Sequence, residues 1–184
     1  TVFSVLLTIM FLALGALYPF EPIQLIMIEY FAIGIPAFFL ALQPNDAPVK
    51  GKFIINVLKT TLPAALVVLI MNLLIHYITP LYNDVNNKEL ISLFTTMSIL
   101  TTTSISMMVL FKVSRPFNWY RRILFIFMLI GCVVTVYLTL FVLPTNPLKL
   151  VRLSIPNIIF TLLLIETAYP LISGIEYILK KLKI

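Results

Sequence analysis

Apolar residues along the chain fall into six long runs: Thr1 to Tyr18, Ile23 to Leu42, Phe53 to Ile78, Leu90 to Phe111, Ile123 to Leu143 and Ile155 to Leu179. Each is near the roughly 20 residues that an α-helix needs to cross the hydrocarbon core. A barrel strand needs only about 10 residues with strictly alternating polarity, and no run alternates in that way. The pattern therefore predicts an all-α, polytopic membrane helix bundle of about six transmembrane helices. The separating stretches carry prolines and polar residues. Pro19 and Pro22 stop one helix and start the next, Gln43 to Lys52 is too polar to enter lipid, and Ser114 to Arg122 mixes basic and aromatic residues in the manner of an interfacial anchor. The second run is interrupted internally by Gly34 and Pro36, which predicts a helix broken near Gly34–Pro36.

Composition agrees with that pattern. Hydrophobic residues make up 61% of the chain, charged residues 11%, and mean hydropathy is +1.08, whereas soluble domains are roughly a quarter charged. The net charge of +6 is dispersed among the loops, which excludes a nucleic-acid face and points to membrane topology. If the loop after the second run is cytoplasmic, Lys50, Lys52, Lys59, Lys112, Arg115, Arg121, Arg122, Lys180, Lys181 and Lys183 lie inside, and only Lys88, Lys149 and Arg152 lie outside. The positive-inside rule then puts the C-terminus in the cytoplasm. The first run opens with Thr1 already apolar and without a cap, and its 18 residues would rise only about 27 Å. A fragment with a truncated first helix is the expectation.

Chemistry concentrates where charge enters the apolar runs. Glu29 lies seven residues beyond Pro22, about 10 Å along the helix axis. A carboxylate at that depth costs a few kcal/mol even on lenient insertion scales, so it marks an ion or proton site by default. Backbone released near Gly34 adds carbonyl oxygens, and carboxylate plus carbonyl is the hard-oxygen shell that calcium, magnesium or manganese prefers. Glu166, four residues before Pro170, is expected to be a second buried acid. The hydroxyls between Thr95 and Ser106, with Asn56 and Asn72, read first as helix-packing groups. Cys132 stands alone, so no intrachain disulfide forms, and His76 sits near a helix end. Nothing in the chain resembles a phosphate-cradling loop or a His/Cys metal motif.

The order of features resembles the C-terminal half of the membrane domain of P-type cation-transporting ATPases. The resemblance rests on Leu14-Gly15, then Pro22-Ile23-Gln24-Leu25, then Glu29-Tyr30-Phe31-Ala32-Ile33-Gly34-Ile35-Pro36, and last Leu42-Gln43-Pro44-Asn45. It implies that residues 1–184 are the C-terminal transmembrane domain of a larger bacterial pump. The six runs would correspond to the family's fifth to tenth membrane helices. It further implies a divalent cation as the transported ion, with Glu29 and the carbonyls of Ile33 and Gly34 as ligands and with Ser4, Thr8, Gln24 and Glu166 lining the path. ATP and its Mg would bind domains absent from these residues. The partners are the bilayer and the N-terminal remainder of the same pump, in the bacterial cell membrane. Glu29 replaces the asparagine of calcium pumps, and Ala32 and Ile33 replace their Thr and Asp, so the resemblance does not extend to the usual two-calcium ligand set. Two other readings remain at this stage: a stand-alone secondary transporter or channel using Glu29 and Glu166, and a non-transporting membrane scaffold.

Overall fold

A computed structural model describes residues 2–16, 18–43, 53–83 and 87–181. The inner return around Lys50, Asp84 and the terminal Lys183 lie outside the described residues. The structure is all helical, 83% helix, with no strand among the described residues. Its elements are α1 (Val2–Ala13), α2 (Pro22–Ile28), a π-helical turn (Glu29–Gly34), α3 (Ile35–Ala41), α4 (Phe53–Tyr82), α5 (Asn87–Val113), α6 (Trp119–Tyr137), a second π-helical stretch (Leu138–Val142) and α7 (Ile155–Lys181). Joined through their π segments, these give five helices long and apolar enough to cross a membrane, with α1 as a shorter apolar helix. The six apolar runs of the sequence thus become six helices, within a few residues at each end.

The ends follow local chemistry. α1 stops in a Schellman motif: the Ala16 N–H bonds the Phe11 carbonyl at 2.9 Å and the Gly15 N–H bonds that of Leu12 at 3.1 Å, with Gly15 at φ +62. This left-handed position suits glycine because it has no Cβ to crowd the following carbonyl. α2 starts with Pro22 at its first turn, where a missing N–H leaves nothing unsatisfied.

α5 is the central helix. In its most apolar window 67% of residues are buried, against 17% for α6, which rims the bundle. Leu7 and Phe11 from α1, Val67, Met71 and Ile75 from α4, Met97, Ile99 and Ile105 from α5, and Ala168 and Ile172 from α7 form the main core. Between helices in lipid the hydrophobic effect supplies little, so close packing and interhelical hydrogen bonds hold such a bundle. Asn72 Nδ2 donates to Thr102 Oγ1 at 3.1 Å across α4 and α5, a class of bond worth about 0.6 kcal/mol on average within a membrane.

Contacts at the two ends of the bundle separate cleanly. At one end Gln24 Nε2 donates to the Leu148 carbonyl at 3.2 Å, the Val151 N–H donates to Thr96 Oγ1 at 3.0 Å, and Lys149 pairs with Glu21 at 2.6 Å. Asn83 and Asn157 exchange amide hydrogen bonds of 3.1 Å at that same end. At the other, Lys112 pairs with Glu176 at 2.9 Å and Arg121 Nε donates to Gln43 Oε1 at 2.7 Å. Successive helices therefore run in alternating directions, as the loop pattern requires.

Candidate functional site

The interruption in the second long helix takes the form of a π-helical turn beginning at Glu29. Such turns insert one extra residue into an α-helix and recur at functional sites. Two residues explain why it forms here. An ideal Cβ on residue 34 would lie 2.9 Å from the Glu29 carbonyl oxygen, so only glycine lets the widened turn close. Pro36 has no N–H, so a carbonyl one turn earlier, Phe31 or Ala32, loses its ladder donor. The Ile35 N–H reaches back to the Tyr30 carbonyl, which is the five-residue spacing of a π-turn. Across the bundle, the absence of a side chain at Gly131 makes room for the Phe31 ring, whose edge would lie 2.7 Å from a Cβ placed there.

This turn sets the surroundings of the nominated ligands. Glu29, Tyr30, Ile33 and Gly34 are exposed, whereas Met27, Ile28 and Pro36 are buried. Glu29 and Ile33 lie four residues apart on one exposed face, and among the described residues the Glu29 carboxylate has no hydrogen-bond or ion-pair partner. Nor do the described residues contain a group of three or more His, Cys, Asp or Glu side chains that could hold a metal. Beside the turn lies a cavity of about 410 Å³, lined by Val2 and Phe3 of α1, Ile33 and Pro36, and the hydroxyl-bearing Thr61 and Ser106. It separates α1 from the π-turn, while α1 itself rests on α4.

The other nominated residues are dispersed. Thr8 donates its hydroxyl hydrogen to the Ser4 carbonyl at 2.8 Å, and the Tyr18 side chain folds back toward both residues. Gln24 is buried, with its amide committed twice: Nε2 to Leu148 and Oε1 to the Glu21 N–H at 3.1 Å. Glu166, expected to be buried, instead lies exposed on α7, whose inward face carries Leu164, Ala168 and Ile172. The structure thus brings Glu29, Ile33 and Gly34 together on one turn and places Glu166 on another helix. Sequence reasoning did not find Tyr18 or the Leu148 carbonyl. The first follows from the reversal that Gly15 starts, and the second depends on a loop far along the chain.

Comparison with known proteins gives consistent results. No protein-family model matches the chain. The calcium-transporting ATPase CtpE of Mycolicibacterium smegmatis is 31% identical over 155 residues, 78% of this chain and 19% of that protein. CtpE of Mycobacterium bovis is 29% identical over 105 residues, 57% of this chain and 13% of that protein. The probable cation-transporting ATPase exp7 of Streptococcus pneumoniae is 27% identical over 143 residues, 73% of this chain and 18% of that protein. The chain therefore spans about a fifth or less of the length of the curated relatives it matches. With its spans, helix order and these homologies taken together, the chain belongs to the cation-transporting P-type ATPases and corresponds to part of their membrane portion.

Proposed function

We propose that this integral membrane chain supplies the ion pathway and part of the cation site of an ATP-driven pump. Glu29 is the principal ligand, and carbonyls near Ile33 and Gly34 assist it. The observation that carries the reading is the π-turn: a carboxylate stands at its first residue, its backbone ladder is loosened by Pro36, and Glu29 shares an exposed face with Ile33. Irregular backbone at membrane depth is tolerated where it lines a cavity or packs on protein. The adjacent cavity meets that condition, and the remainder of the pump covers the exposed face. The cargo is a divalent cation, calcium, magnesium or manganese, which accepts hard carboxylate and carbonyl oxygens. Relatives named as calcium-transporting support that class. ATP and its Mg bind domains outside this chain. The cavity between α1 and the π-turn lets those elements shift past one another, which is the motion alternating access needs; Val2 and Phe3 of α1 line it, Ser4 and Thr8 are carried on the same helix, and Gln24 holds the start of α2. The pump sits in the bacterial cell membrane with the C-terminal end of α7 in the cytoplasm.

Glu29→Gln in the full-length protein tests the assignment. Glutamine keeps the side chain's shape but removes the charge, and no described hydrogen bond is lost. Ion-stimulated turnover should fall sharply while insertion and thermal stability stay at parental values. Glu166→Gln is the internal comparison and should retain activation. Parental ion affinity in Glu29→Gln, or abolition by Glu166→Gln alone, would overturn the assignment.

A further inference from the structure

Among the described residues four buried side-chain oxygens have no hydrogen-bond partner: Asn72 Oδ1 on α4, and Ser98 Oγ, Thr101 Oγ1 and Thr103 Oγ1 on α5. Asn72, Ser98 and Thr101 are 0% exposed. Other hydroxyls of α5 bond back along the helix. Thr96 donates to the Ser92 carbonyl, Ser104 to that of Leu100 and Ser106 to that of Thr102, each at 2.8 Å. Ser98 and Thr101 make no such return bond to the preceding turn. Positions 98, 101 and 102 are spaced by three and four residues, so they share one face of the helix.

The orientation of Asn72 follows from its bonds. Nδ2 donates to the Val68 carbonyl at 2.8 Å and to Thr102 Oγ1 at 3.1 Å. Val68 can only accept there, so the amide cannot be flipped. Val68 is one turn back along α4, and α5 runs in the opposite direction. Oδ1 therefore faces away from Val68, toward the level of Ser98 and Thr101. It is bonded to neither hydroxyl, so an acceptor and two donors at neighbouring levels of the α4–α5 joint are left without partners.

We infer that Asn72, Ser98 and Thr101 form a buried water site. A water has two hydrogens and two lone pairs. It can donate to Asn72 Oδ1 and accept from the hydroxyls of Ser98 and Thr101, which satisfies those three atoms at once. Three neutral oxygens could also face a monovalent cation, but such an ion would lack a countercharge. On α7, Glu166 is exposed and Glu176 is paired with Lys112 at the end of the bundle. The site belongs to the joint between α4 and α5, is uncharged, and is independent of the Glu29 reading.

A structure of the full-length protein prepared in rubidium chloride, at a resolution that shows ordered water, tests this directly. The expected result is a water-sized peak about 2.7–3.2 Å from Asn72 Oδ1 and from at least one hydroxyl, without an anomalous rubidium signal. A rubidium peak would make it a cation site. Direct bonding between Asn72 and Ser98, or return bonds to the Phe94 and Met97 carbonyls around an empty gap, would remove the site altogether. In solution, residues sharing one water should be coupled, so Asn72→Leu and Thr101→Val should depart from additivity by about threefold or more in the unfolding equilibrium. Additive behaviour counts against the inference. Should Asn72→Leu fail to fold, the Ser98→Ala and Thr101→Val pair carries the same comparison.

Discussion

Replacing Gly34 with alanine places a methyl group 2.9 Å from the Glu29 carbonyl oxygen, a backbone atom that cannot swing aside. Alanine is intrinsically better in a helix than glycine by about 1 kcal/mol, so the substitution carries a gain and a strain together. Gly174 provides the control. It lies in α7, and nothing lies within 4 Å of a Cβ built there. Gly174→Ala should therefore show the propensity gain alone, about 1 kcal/mol. At Gly34 the same gain is opposed by overpacking, which typically costs about 1–3 kcal/mol. Taking the difference between the two variants cancels the propensity term and leaves the strain, so Gly34→Ala should be less stable than Gly174→Ala by about 1–3 kcal/mol. Unfolding of the purified full-length variants in one detergent, followed by denaturant titration, measures that difference. If Gly34→Ala matches or exceeds Gly174→Ala in stability, the π-turn is not the resting conformation and the steric argument fails.

Two further outcomes follow from the contacts at the ends of the bundle. Gln24→Leu leaves the Leu148 carbonyl and the Glu21 N–H without their partners and should cost about 1–3 kcal/mol for each buried group orphaned; an unchanged unfolding midpoint would show that this amide does not hold α2 in place. Single cysteines at positions 118 and 145, in a Cys132→Ala background, should be labelled from opposite faces of the membrane, with 118 on the cytoplasmic side; modification of both from one side would invalidate the alternating arrangement.

The spans were legible in the sequence because the bilayer dictates helix length and because prolines and Gly15 punctuate the runs chemically. The weak point at Gly34 and Pro36 was legible because a glycine, a proline and a carboxylate fall within two turns of one apolar run; that Glu29 and Glu166 lie exposed on their helices was not, because exposure depends on which face each helix packs. The form of the interruption was not. Choosing a π-turn over an unwound segment depends on a close approach between Gly34 and the Glu29 carbonyl and on the fit of the Phe31 ring over Gly131, both of which exist only once helices pack. The hydroxyls of α5 were visible as a group. Which of them bond back along the helix and which are left facing Asn72 depends on rotamers and on the neighbouring helix, and no spacing rule encodes that.

The bond from Gln24 to the Leu148 carbonyl joins residues 124 positions apart. A ribosome adds roughly 5–20 residues per second, so about 6–25 s of synthesis separates the emergence of this donor from that of its acceptor. Throughout that interval α2 is in the membrane with the amide of Gln24 short of a partner, and the start of the helix closest to Glu29 is among the last parts of the bundle to be secured. During biogenesis the proposed ligand turn is therefore finished from the far end of the chain, after α4, α5 and α6 have been made.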